Sequence, residues 1–153
     1  MENQSNINNQ ELLIVVRHGE YYSNTKDLTP VGIRQISGLG SKILPFVKGK
    51  TVGIIHAPAP RTTQSAEILA KVLGVNIITQ LYELDPEQRY GDDDVILAIK
   101  EQKFNIVIAV THDSYAEWLP CRFIKGYMKK KISHANAWLI DLKRLNVELI
   151  KPD

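Results

Sequence analysis

The chain has 153 residues, of which 44% are hydrophobic and 24% charged, enough for one compact domain with a core and little room for a second. A net charge of +2, with no basic stripe interleaved with aromatics, points away from nucleic acid as a partner, and the single cysteine, Cys121, excludes an internal disulfide. No stretch approaches membrane-spanning length, so a cytoplasmic protein without a membrane partner is expected.

Residues 1–10 are polar and asparagine-rich and read as a flexible N-terminal tail, leaving 11–153 as a single domain. The apolar run Leu12 to Val16 has no alternation, which suits a strand covered on both faces, and it leads directly into Arg17-His18-Gly19-Glu20. Parallel sheets bind ligands at the carboxyl ends of their strands. Arginine offers a fixed fork of donors to phosphate, and a neutral histidine is a nucleophile. The pair points to phosphoryl transfer through a phosphohistidine, although a charged pair closing a strand also serves as a plain solvated turn.

After a loop over 21–27, Thr29 is an N-cap and Pro30 the first residue of a helix reaching about Ile43. Gly38 and Gly40 imply close packing or an early end to that helix. Thr51 to Ile55 reads as a second strand, and the proline-rich exit His56 to Pro60 places Arg61 at the start of a helix ended by Gly74. Val75 to Thr79 reads as a short strand, and the polar stretch Leu81 to Asp94 as a rim. Val95 to Gln102 follows as a helix, then a strand from Ile106 to Val110 ending in Thr111-His112-Asp113. A helix through Tyr115 to Trp118, continuing past Pro120 to about Lys125, and strands Ala135 to Leu142 and Val147 to Ile150 complete the chain. Lys129-Lys130-Lys131 reads as a solvated loop, with contact to an acidic partner as the alternative. This alternation predicts an α/β fold: a three-layer α/β/α sandwich with a mostly parallel central sheet, with room for one antiparallel edge strand.

Three strands thus end in arginine or histidine, and the intervening motifs extend the pattern. Arg17-His18-Gly19-Glu20 with Asn24, the stretch Leu28-Thr29-Pro30-Val31-Gly32-Ile33-Arg34-Gln35, Pro58-Ala59-Pro60-Arg61-Thr62-Thr63-Gln64-Ser65-Ala66, and His112 after an apolar strand occur in order. Together they resemble the histidine phosphatase superfamily, also called the phosphoglycerate-mutase-like family, over nearly all of Leu12 to Leu142. Ala57 and Ser65 depart from its commoner serine and threonine.

The resemblance implies that His18 attacks phosphorus, that Arg17 and Arg61 grip the equatorial oxygens, that His112 completes the cradle, and that no metal or other cofactor is needed. Flanking arginines would hold His18 neutral by like-charge repulsion, with its other ring nitrogen held by a partner such as a backbone carbonyl after Gly19. Asn24 is either a phosphate ligand or a turn former, and Glu20 a supporting residue. Two carboxylates compete to protonate the leaving group: Glu83, favoured by its similarity to one-domain relatives, and Asp113, which follows His112 directly. His56 and His134 read as structural or exposed.

Compact length and the Glu83-Leu84-Asp85-Pro86 stretch look like the SixA type, small protein-phosphohistidine phosphatases without the capping insertions of mutases. The expected substrate is therefore phosphohistidine of a signalling or phosphotransfer protein. The alternatives are a broad phosphomonoesterase acting on small phosphorylated molecules and a non-catalytic phosphate-binding or protein-interaction module.

Overall fold

The first strand is pinned on both sides by chain that arrives much later. In the computed structural model, which describes residues 10–153, β1 (Leu12–Arg17) lies between β4 (Ile106–Thr111), to which it runs parallel, and β5 (Ala137–Asp141), to which it is antiparallel. β2 (Val52–His56) and β3 (Ile78–Gln80) extend the sheet beyond β4, and β6 (Asn146–Ile150) closes the other edge, giving the order β3-β2-β4-β1-β5-β6. The fold is the expected α/β sandwich. Only β5 runs against the others, so the antiparallel element is the β5–β6 pair at one edge.

Burial on both faces explains the unbroken apolar strands. Ile14, Val16, Ile54, Ile108 and Val110 point toward α1 (Pro30–Val47) and α2 (Pro60–Leu73). Leu13, Val15, Ile55, Val107 and Ala109 point toward α3 (Asp92–Lys100) and α4 (Asp113–Phe123). Side chains alternate across a strand, so each strand supplies both cores.

Several boundaries move from their expected places for local reasons. α1 continues to Val47 because its glycines serve packing: a Cβ on Gly40 would stand 2.9 Å from Val72 of α2. β3 starts at Ile78 because Val75 still donates to Ala70 O, completing the end of α2 at the left-handed Gly74. α3 begins at Asp92, its three aspartates forming a first turn at the positive end of the helix dipole.

The expected tail over 1–10 lies outside the described residues except for Gln10. That residue is buried, its side-chain amide donating to the carbonyls of Ile99 and Gln102 at 2.9 and 2.7 Å. Among the described residues no helix is long and apolar enough to cross a membrane.

Candidate active site

Connections from β1 and β4 leave the sheet toward opposite faces, opening a crevice above their carboxyl ends. Arg17 closes β1 and His18 follows it; His112 follows β4 as the N-cap of α4. Arg61 arrives in the first turn of α2, where Thr62 Oγ1 donates to Ala57 O and accepts from Ala59 N, fixing the turn out of β2.

The loop after β1 is pressed onto α1. A Cβ on Gly32 would lie 2.1 Å from Glu20 O, and one on Gly19 2.8 Å from Gly32 O, so both glycines are required by close backbone approach. Thr29 Oγ1 donates to Glu20 Oε2, Glu20 N donates to Gln35 Oε1, and Gly19 N donates to Ser65 Oγ. These contacts hold the peptide on either side of Gly19 rigid. Across the cleft, Ala135 N donates to the carbonyls of both Arg17 and His18 at 3.0 Å, bringing the 132–136 loop against the end of β1.

Arg61 joins the two central imidazoles. Its Nε donates to His18 Nε2 at 3.3 Å and its Nη2 donates to His112 Nδ1 at 3.2 Å. His18 Nδ1 donates to Gly19 O at 2.9 Å, so the network assigns the lone pair to Nε2, beside Arg61. The two rings stand 5.4 Å apart. Arg17 Nη1 donates to Ile132 O at 2.8 Å and Nη2 to His134 Nε2 at 3.2 Å. The resulting cavity, about 500 Å³, is lined by Arg17, His18, Arg61 and His112 with Tyr21, Lys26, Asp85 and Asp113.

His18 is only 3% exposed, and burial is the main cause that lowers its pKa to about 3. The Gly19 carbonyl opposes this, while His112, Arg61 and Arg17 reinforce it. His112 is lowered to about 4, again by burial first and then Arg61, against Asp85 and Asp113. Repulsion from the arginines, the cause expected from the sequence, is thus secondary to desolvation. Either way the His18 lone pair is available at neutral pH.

The structure brings Arg17, His18, Arg61, His112 and Asp113 together, and leaves out Glu83 and Asn24. Leu84 is fully buried and Thr111 Oγ1 donates to its carbonyl at 2.7 Å. With that residue anchored in a single-turn 3-10 helix, Tyr82–Leu84, its neighbours fall on opposite sides: Asp85 lines the cleft and Glu83 a separate cavity with Tyr90 and Asp94. Asn24 is exposed and its Oδ1 accepts from Thr25 N, the turn-forming role. His56 is buried, its Nδ1 donating to Ala57 O, a structural histidine.

Tyr21 and His134 belong to the site although the sequence did not place them there. Tyr21 carries the Arg61 guanidinium 4.6 Å from its ring centroid and packs edge-on against His18. His134 was expected to be structural or exposed, yet its ring lies 5.6 Å from that of His18. Tyr21's adjacency to the Arg-His-Gly-Glu stretch was an available signal; none was available for His134.

The family model described as histidine phosphatase superfamily, branch 1, matches residues 13–96. No curated protein sequence matches significantly. Among solved structures, the protein histidine phosphatase SixA complexed with tungstate superposes with a TM-score of 0.77 at 16% identity, over 92% of this chain and 97% of that one. The SixA protein from Agrobacterium tumefaciens gives 0.74 at 13% identity, covering 93% and 98%. A phosphoglycerate mutase from Plasmodium falciparum gives 0.59 at 18%, covering 92% and 88%. At such identities these likenesses are likenesses of fold.

Proposed function

The chain belongs to the histidine phosphatase superfamily, and from that premise we propose a metal-independent phosphatase that works through phosphorylated His18 on phosphohistidine carried by a signalling or phosphotransfer protein. The observation that carries this reading is the Arg61 bridge between His18 Nε2 and His112 Nδ1, which gathers nucleophile and cation on the wall of one cleft. Arg17 and Arg61 would hold the equatorial oxygens, with His112 completing the cradle, so positioning and matched charge supply the catalysis.

In the first step Nε2 of His18 bonds to phosphorus while the phosphorus–nitrogen bond of the substrate breaks. The electron pair stays on the substrate imidazole, which takes its proton from solvent. Water then attacks phosphorus, the bond to His18 breaks, and inorganic phosphate leaves with a proton lost to solvent.

The carboxylates support this substrate class. An alkoxide needs a proton donor as it leaves, whereas an imidazole departs far more easily, and Glu83 stands outside the cleft. Asp85 is occupied as an N-cap, accepting from Glu87 N and Gln88 Nε2. Asp113 favours a second reading, a small-molecule phosphomonoesterase with Asp113 as acid, because it borders the cleft 3.9 Å from Arg17 Nη2. The single cysteine, Cys121, suits a cytoplasmic site of action.

Trapping labelled phosphate on the protein tests the main reading. The expected result is one acid-labile phosphate mapped to His18 and absent in His18→Ala; stable binding of phosphate with no covalent label would leave only a binding module. Asp113→Asn should abolish hydrolysis of phosphate esters while sparing phosphohistidine, and equal losses would contradict the leaving-group argument; wild-type turnover of esters but not of phosphohistidine would favour the second reading.

A further inference from the structure

Beside the catalytic cleft lies a larger groove, about 820 Å³, between the start of α1, the 131–136 loop and the last residues of the chain. His134 belongs to both: it lines this groove and also accepts from Arg17 Nη2 at 3.2 Å. A polypeptide phosphorylated at a side chain held by His18 would therefore run past His134 into the groove.

The groove has a definite chemistry. Arg34, Lys131 and Lys151 line it and are exposed, and among the described residues none of them forms an ion pair. Among the described residues Asp153 is the only carboxylate side chain in its wall. Between the cations it offers apolar surface, including Val31 and Leu149, 40% and 39% exposed. Asp85, Glu87 and Asp113 line the catalytic cleft, Asp113 lying 3.9 Å from the same Arg17 Nη2 that meets His134, so these carboxylates belong to the cleft and Arg34, Lys131 and Lys151 to the groove. A lone phosphate is fully served by the smaller cleft; a second, larger, cationic groove with apolar patches fits a chain segment.

We propose that this groove docks an acidic, partly apolar segment flanking the phosphohistidine of the substrate protein. The inference rests on the phosphohistidine reading and adds the element that selects among such proteins. Lys131 thereby becomes a recognition residue, while Lys130 is drawn over the Tyr127 ring at 5.1 Å.

Two phosphohistidine peptides of equal length test it, one flanked by aspartate and glutamate, the other by glutamine and serine. Wild-type protein should hydrolyse the acidic peptide with about tenfold higher kcat/KM, the scale of electrostatic focusing by a charged cleft. The ratio should fall toward one at high salt, and likewise in the Arg34→Glu/Lys131→Glu/Lys151→Glu variant. Equal turnover of the two peptides by wild type, or a preference untouched by the triple substitution, overturns the proposal. Binding of the same pair carrying a non-hydrolysable phosphohistidine analogue, read by fluorescence anisotropy, separates the layers. An acidic preference in binding without turnover of either peptide would refute the phosphatase reading and keep the groove; turnover without preference would do the reverse.

Discussion

At the scale of single residues, the site keeps an imidazole uncharged among cations. Burial drives His18 to a pKa of about 3, so at pH 5, two units higher, about one ring in a hundred would be protonated. Nitrogen-15 spectra of the free protein should show His18 as the neutral Nδ1–H tautomer throughout pH 5 to 8; an imidazolium signal titrating near 6.5 would contradict the buried network. Arg61 serves two acceptors from one rigid fork, Nε to His18 and Nη2 to His112. A lysine keeps the charge but not the fork. Arg61→Lys should lower kcat on a phosphohistidine substrate by about 10²–10³-fold, comparable with loss of one preorganised donor. A drop of only a few fold would mean that Arg61 supplies charge alone.

At the scale of elements, the loop after β1 is held by contact between backbones. Alanine in place of glycine inside a helix normally gains about 1 kcal/mol of propensity. At Gly32 the steric term wins, because the new Cβ would sit 2.1 Å from Glu20 O and cannot be relieved by a side-chain rotation. Gly32→Ala should therefore cost about 2–3 kcal/mol by chemical denaturation. It should also cut turnover, since Glu20 and Gly19 move with the loop that fixes His18 Nδ1. Stability and activity both at wild-type level would show that α1 slides freely beneath the loop. Gly40, facing Val72, makes the same argument for the α1–α2 contact, away from the chemistry.

At the scale of the whole molecule, two buried neutral histidines make stability depend on pH. In the unfolded chain both protonate near 6.5, while in the folded protein His18 and His112 resist until about 3 and 4. Over that window the unfolded state binds more protons, so the stability they contribute is present above about pH 6.5 and is lost as pH falls toward 4. Denaturation midpoints should fall on acidification, and less steeply in a His18→Gln/His112→Gln protein. Parallel curves for the two proteins would place the acid sensitivity elsewhere. Bound phosphate or vanadate should raise the melting temperature in proportion to the logarithm of its concentration. The sequence by itself determined the layered α/β plan, because unbroken apolar strands and capped helices are local patterns whose ends carry Arg17, His18, Arg61 and His112; that these four meet in one cradle was implied by the family resemblance of their motifs. Only the tertiary structure decided that His134 joins Arg17 from 117 residues away, that Glu83 faces away while Asp85 faces the cleft, and that burial dominates the His18 pKa. Each of these depends on which distant segment packs against which, and no local periodicity encodes that.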